Sequence, residues 1–388
     1  MTAPEAVVIV GESIAGITAA RELRARGFAG RISMIGDDPH GGYSRPPLSK
    51  VVLKDEDSEA GIAYHTGDLA LEVIRARATS LDTAGKKVFT EDGRAVSYDS
   101  LIAATGAAPR HLARPGQRGE MVLRTLDDAR KLRARLDNAA TALVIGAGFL
   151  GMEVASACLT RGVSVTVVDS QPPLQRILGP FISGQLAERA VERGMDVVLA
   201  SGPVELVDDP VRGARLPDGR VIFADVVVTC AGDVPVTEWL ADTGLADARG
   251  IPIDERCRTH VPDVYAAGDV AYLVPPAPAP APAGRAPFWS NAVAQARVAA
   301  CTVLGQDAPC TPRDDYFWTE IANLPLKVVG PLPVSGEPTS IEGSVPDGNA
   351  LLRWDQPSGQ STVVAFGKRV PVGRLRAMAA KRPTQAPS

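Results

Sequence analysis

The chain has 388 residues, 45% of them apolar and 22% charged, with a formal net charge of −4. That length exceeds one ordinary hydrophobic core and predicts two or three domains. The slight acidity excludes a surface built generally for nucleic-acid backbone.

The longest apolar runs are strand-sized, so no transmembrane helix is expected. The N-terminus opens directly into a buried-strand pattern with no basic leader, so no secretory signal is expected either. The five cysteines (158, 230, 257, 301, 310) form no Cys-x-x-Cys pair, and the four histidines are scattered. This predicts reduced thiols, a cytoplasmic protein and no metal site.

In chain order, Ala6-Val-Val-Ile-Val10 is a buried strand and Gly11-Glu-Ser-Ile-Ala-Gly16 a turn, followed by a helix to Arg26 and a second strand, Ile32–Gly36. Leu101-Ile-Ala-Ala-Thr-Gly106 is another strand ending at a glycine. The opening pattern then returns: strand Ala142–Ile145, turn Gly146-Ala-Gly-Phe-Leu-Gly151, a helix to Arg161, and strand Val163–Val168. Asp225–Cys230 and Val264–Asp269 are further strands. The Pro–Ala run from Val274 to Gly284 holds neither helix nor sheet and reads as an extended surface loop. From Tyr316 the period shortens to strands (Lys327-Val-Val, Ala350–Trp354, Ser361–Phe366), with a last helix Val372–Ala380 and a disordered tail from Lys381. The expected fold is α/β: two Rossmann-type βαβ domains plus a small C-terminal α+β domain.

A glycine turn between strand and helix presents backbone N–H groups to a pyrophosphate at the positive end of the helix. The first glycine makes the turn, the second admits the phosphate and the third lets helix pack on strand. Gly146, Gly148 and Gly151 supply all three; the first copy has Gly11 and Gly16, with Ser13 between, whose hydroxyl can face phosphate. Acids sit after the second strand of each unit: Asp37 and Asp38 in the first, Asp169 in the second. A carboxylate there accepts ribose hydroxyls. The run Gly36-Asp-Asp-Pro39 also reads as a plain turn. Asp169 repels a 2′-phosphate and favours NADH over NADPH, with Arg176 near enough in sequence to soften that preference. Two dinucleotide folds in one chain suggest a flavin and a nicotinamide, between which hydride passes directly.

Six motifs then stand in order: Gly11–Gly16, Tyr43-Ser-Arg-Pro-Pro-Leu-Ser-Lys50, Ala103-Ala-Thr-Gly106, Leu123-Arg-Thr-Leu-Asp127, Gly146–Glu153 and Thr259-His-Val-Pro-Asp-Val-Tyr-Ala-Ala-Gly-Asp269. Together they resemble the FAD-dependent ferredoxin reductases of oxygenase systems, members of the glutathione-reductase-like flavoproteins. The resemblance runs from Val7 to about Arg376. It implies a discontinuous FAD domain (1–113 and 247–315), an NAD(P) domain (114–246) and a C-terminal domain (316–388). Ala15 and Asp37 would lie along the FAD pyrophosphate and ribose, and Lys50 beside the isoalloxazine, where a cation stabilises the reduced ring. Arg45 would support Lys50, Arg124 would reach the flavin, and Asp269 would bond the ribityl chain. Ala104, Thr105, Gly106 and Gly268 belong to the motifs that line FAD, and Trp289 and Trp318 fall where the family surrounds the ring. Gly146, Gly148, Phe149, Leu150 and Gly151 would cradle the NAD pyrophosphate, with Gly232 in the loop near the nicotinamide. Glu153, placed in the first helical turn, would approach the nicotinamide end.

The chain departs from the family at Cys230-Ala-Gly-Asp-Val-Pro-Val-Thr-Glu238, where Cys230 replaces a glycine and Val236 an asparagine. The run Ala286-Pro-Phe-Trp289 lacks the usual Glu before the tryptophan, and the segment from Val51 to Gly67 is short. No cysteine pair stands near residues 40–55, so no disulfide relay is expected, and Cys158 and Cys301 read as core. The resemblance implies electron transfer from NADH through FAD to a [2Fe–2S] ferredoxin serving a cytochrome P450 or dioxygenase, with Arg297, Lys327, Lys368 and Arg369 as a basic docking face. An FAD-dependent tailoring oxidoreductase acting directly on a small molecule is the alternative. A flavin-binding sensor is a third reading, disfavoured by the intact second glycine turn. Monomer and homodimer are both open.

Overall fold

The computed structural model describes residues 4–274, 284–311, 313–356 and 359–380. Most of the Pro–Ala run and the tail from Lys381, expected as a loop and a disordered end, lie outside the described residues. Two compact units form: Met1–Arg45, Glu59–Ala108 and Asp233–Asp314 make the first; Pro46–Ser58, Pro109–Gly232 and Asp315–Ser388 make the second.

The first unit is built on five parallel strands in the order Val264–Ala266, Ser100–Ala103, Ala6–Val10, Arg31–Gly36, Leu71–Arg75. A parallel sheet covered on both faces needs no polar alternation, which is why Val7, Val8 and Ile9 read as one apolar run and are all fully buried. Helix Ile14–Ala25 presents Ala15, Gly16, Ala19 and Ala20 inward and packs on the alanine-rich helix Trp289–Val303; small side chains let the two axes come close. A three-stranded antiparallel sheet, Ala78–Asp82, Lys87–Thr90 and Ala95–Ser97, completes this unit's larger elements.

The second unit holds a four-stranded parallel sheet, in the order Met195–Leu199, Ser164–Asp169, Thr141–Ile145, Val226–Thr229. Helix Phe149–Thr160 follows the strand Thr141–Ile145. Helix Leu126–Leu136 begins with a capping box: Thr125 Oγ1 accepts the Asp128 N–H at 3.1 Å and Asp128 Oδ2 accepts the Thr125 N–H at 2.9 Å. The same unit contains a five-stranded antiparallel sheet ordered Tyr316–Ile321, Leu324–Val329, Ser361–Phe366, Asn349–Asp355, Ser340–Ser344. Its central strand Ser361–Phe366 is buried along its whole length, and helix Val372–Ala380 covers it. Among the described residues no helix is long and apolar enough to cross a membrane.

Candidate functional site

The two glycine turns share one hydrogen-bond plan. Gly11 N–H donates to Ile35 O at 2.8 Å, as Gly146 N–H donates to Val168 O at 2.8 Å. Ala104 N–H donates to Val10 O at 2.8 Å, as Cys230 N–H donates to Ile145 O at 2.7 Å. A Cβ on Gly11 would stand 2.1 Å from the Ala104 carbonyl oxygen, and one on Gly146 2.3 Å from that of Cys230. A Cβ on Gly16 would stand 1.9 Å from Gly11 O, and one on Gly151 1.8 Å from Gly146 O. The outer glycines are therefore fixed by main chain meeting main chain.

The middle positions differ in kind. A Cβ on Gly148 would meet nothing within 4 Å, so the space above the second turn is open. Ser13 and Gly148 are the N-cap residues of their helices, and neither makes a side-chain cap. Neither helix carries an acid in its first turn, so the leading N–H groups are left to an incoming anion. Uncapped N–H groups suit a dinucleotide pyrophosphate at each helix start, and over the second of them the space is open. Glu153 does not lie in the first helical turn, as the sequence suggested. The helix starts at Phe149, so Glu153 is a turn further along and its carboxylate serves a side-chain cluster rather than the helix end.

In the second unit Asp169 Oδ2 accepts the Ala147 N–H at 2.7 Å, which ties strand end to turn. Its Oδ1 accepts from Ser170 N–H at 2.6 Å and from the Arg176 guanidinium at 2.9 Å. In the first unit Asp38 accepts the Tyr43 hydroxyl at 2.7 Å and the His40 N–H at 3.0 Å, and Arg45 lies 4.0 Å from it. Arg45 Nε also donates to Ser13 Oγ at 3.3 Å, with its guanidinium over the Tyr43 ring. Ser13, Asp38 and Arg45 thus converge, whereas Asp37 pairs with Arg77 at the surface, 3.0 Å away. Gly268 comes against the turn: its φ is +83°, and a Cβ there would lie 3.0 Å from that of Ala15. This carries Asp269 to the same end of the sheet. Ala104 is buried, Thr105 Oγ1 donates to Val236 O at 2.7 Å, and Gly106 O accepts the Val236 N–H at 3.0 Å. Trp289 opens its helix and is 37% exposed.

A buried polar cluster lies inside the second unit. Glu153, 6% exposed, receives Lys50 Nζ at 2.8 Å and the Thr319 hydroxyl at 2.6 Å on Oε1, and the Ser49 hydroxyl on Oε2. Lys50 follows a short 3-10 turn, Pro46–Ser49, and also donates to Pro46 O at 3.2 Å. Phe149 packs on Phe317, ring centroids 4.8 Å apart. Trp318 alternates to the other face of its strand from Phe317 and Thr319, and stacks with Tyr316. Leu150 is half-buried next to Phe149, and Arg124 donates its backbone N–H to Asp128 at 3.1 Å. Cys230 holds the position that Ala104 has in the first unit, and burial pushes its thiol up to about 12. Gly232, at φ +94°, accepts the Arg110 N–H at 3.0 Å. Cys158 and Cys301 are both fully buried. Of the basic residues singled out, Lys368 pairs with Glu342 at 2.5 Å, Lys327 donates to Val370 O at 3.1 Å and Arg297 lies 3.9 Å from Glu22, while Arg369 is exposed.

Sequence reasoning did not find Ser49 and Thr319 as partners of Glu153. They stand 104 and 166 residues from it, and no local pattern reports such a distance. It also passed over Glu12, a carboxylate inside the first turn with only 8% exposure. Its signal was available: a charged residue between a turn glycine and a small N-cap residue.

Residues 5–296 match the family described as pyridine nucleotide-disulphide oxidoreductase. The chain is similar to the ferredoxin reductase component of chlorobenzene dioxygenase from Cupriavidus sp. (strain PS12), 33% identical over 356 residues that cover 89% of this chain and 85% of that protein. It is similar to rhodocoxin reductase of Rhodococcus erythropolis, 35% identical over 352 residues, covering 88% and 82%. Among solved structures, the ferredoxin reductase for the CYP199A2 system from Rhodopseudomonas palustris matches with a TM-score of 0.85 at 31% identity, covering 94% of this chain and 91% of that one.

Proposed function

The chain belongs to the pyridine nucleotide-disulphide oxidoreductase family, and from that premise we propose that it is an FAD-dependent NADH:ferredoxin reductase, passing electrons to a [2Fe–2S] ferredoxin that serves a cytochrome P450 or dioxygenase. The observation that carries the reading is the pair of glycine turns with one hydrogen-bond plan, each closed at its outer glycines and uncapped at its helix start. One turn, with Ser13, Ala15, Arg45, Asp38 and Asp269 about it, takes FAD. The other, with Gly148, Phe149, Leu150 and Asp169, takes NADH. Bound flavin supplies the conversion of a two-electron donor into single-electron steps.

The chain's own residues bind and orient. The helix N-termini hold the pyrophosphates electrostatically. Asp169 accepts ribose hydroxyls and disfavours a 2′-phosphate. Lys50 provides positive charge for the reduced ring, and Glu153 fixes the ammonium in place. Ser49 and Thr319 hold Glu153 in its turn. A cytoplasmic location accords with five cysteines that are all free thiols.

Stopped-flow mixing of the yellow protein with NADH tests the proposal, followed by cytochrome c reduction with and without ferredoxin. Fast bleaching of the flavin and ferredoxin-dependent cytochrome c turnover are expected. A flavin that stays oxidised under NADH overturns it.

A further inference from the structure

The second unit holds a groove that the dinucleotide reading leaves unused. Its volume is about 690 Å³, and all its lining residues fall within Pro109–Gly232. It lies where the end of helix Leu126–Leu136 meets the start of strand Thr141–Ile145 and the segments around Val211 and Phe223. Strand Thr141–Ile145 runs from this groove to the Gly146 turn. The two therefore stand at opposite ends of one sheet, about 16 Å apart along the strand.

The groove carries two guanidiniums and one carboxylate. The acid is engaged: Asp225 Oδ2 accepts the Ala140 N–H at 3.0 Å, the Thr141 N–H at 2.9 Å and the Thr141 hydroxyl at 2.9 Å. It pins the starts of two neighbouring strands together. Arg135 gives one N–H to Asp225 O at 3.1 Å and has no ion-pair partner among the described residues. Arg212 is bonded only through its main chain, to Val207 O and from the Ala224 N–H; among the described residues its guanidinium has no partner. A guanidinium on a concave surface without an acid is a planar fork that matches a carboxylate. The carbonyls at the end of the helix would oppose an anion. Those of Arg133, Arg135 and Leu136 already accept main-chain N–H groups.

The groove also has an apolar wall. Phe223 closes an outer strand, Val221–Phe223, and is 61% exposed. A flat partner laid against that ring would remove apolar surface from water. Gly119, Ala134, Ala139 and Ala224 line the rest, and their small side chains keep the groove open.

We propose that this groove binds a small aromatic carboxylate, with the carboxylate on Arg212 and Arg135 and the ring against Phe223. A groove of this size takes one small molecule. Electron transfer between the cofactors makes no use of it, so the site stands apart from theirs.

Benzoate is the probe. The full-length holoprotein is titrated with it and followed by saturation-transfer NMR, with benzylamine and acetate as controls for charge and for the ring. Benzoate should bind once per chain, benzylamine at least about tenfold more weakly and acetate about fivefold more weakly. Arg212→Gln should weaken benzoate about tenfold and Phe223→Ser about fivefold, with flavin reduction by NADH unchanged in both. Should Arg212→Gln not fold, Arg135→Gln takes its place with the same expectation. Saturating NADH should leave benzoate bound. No saturation by about 10 mM benzoate overturns the proposal. So does equal binding of benzylamine, wild-type affinity in either variant, or displacement by NADH. A Glu-rich peptide that outcompetes benzoate would make the groove a protein contact, which overturns it as well.

Discussion

Lys50 Nζ and Glu153 Oε1 lie 2.8 Å apart, with side-chain exposures of 20% and 7%. Two hydroxyls converge on the same carboxylate. The pair is therefore an ion pair whose acid has all its main partners inside the protein.

Breaking one half of such a pair leaves a poorly solvated charge. Glu153→Gln should lower stability by about 2 kcal/mol, with Lys50 partly relieved by solvent. The double variant Lys50→Met/Glu153→Gln should recover most of that loss. Urea unfolding of the four proteins in the cycle checks this. Simple additivity of the two single losses would show that the ion pair is not what couples them.

The second glycine turn makes opposite predictions for two of its positions, three residues apart. Gly151→Ala drives a methyl group into a main-chain oxygen and should cost about 3 kcal/mol or more, lowering the unfolding midpoint sharply. Gly148→Ala meets open space at φ −75°, so it should fold with a loss below about 1 kcal/mol. It should nonetheless raise the NADH concentration needed for half-saturation by about tenfold, because the methyl occupies room kept for phosphate. Thermal melts and NADH titrations of both variants decide the matter.

Asp169 carries two loads, the Ala147 N–H and the Arg176 guanidinium. Asp169→Ala should weaken NADH use by about tenfold and NADPH use by much less, since the freed Arg176 can meet a 2′-phosphate. Initial-rate kinetics with both nucleotides measure this. Equal losses would mean that Asp169 only braces the turn.

Glu120 gives a pH dependence with a definite sign. Burial alone would raise its carboxyl, but hydrogen bonds from Thr229 at 2.6 Å, Leu112 N–H at 2.8 Å and His111 at 2.8 Å outweigh it and hold the group below its ordinary value of 4.5. A carboxyl depressed in the folded state stabilises above its unfolded pKa, and that contribution is lost as pH falls through the folded one. Below pH 4.5 wild type should thus lose stability more steeply than Glu120→Gln, which starts about 1–3 kcal/mol lower at pH 7. Denaturant unfolding between pH 7 and 3 follows the two curves, and parallel curves would show that Glu120 does not titrate in this way.

Much of the fold was legible because the signals were local. Ala6–Val10, Ser361–Phe366 and Val372–Ala380 fall where the apolar patterns placed them. Each depends on neighbours a few residues away. The helix Gln175–Glu192 gave no clear pattern, since Gly179 and Pro180 interrupt it. The strands Ala78–Asp82 and Lys87–Thr90 were missed because half of each faces water and the runs are short. In the candidate site the glycines announced themselves, but their different tolerances did not. Gly16 and Gly148 look alike on paper; only the carbonyl of Gly11 against one and open space against the other separates them.

At Gly16 and Gly151 both colliding groups are backbone. Trimming a side chain elsewhere does not remove that closest contact, so relief needs a shift of the main chain itself. Evolution is left with the centre of each turn, where one copy has serine and the other glycine. A lineage can retune what either turn holds by editing that single residue while its frame stays frozen.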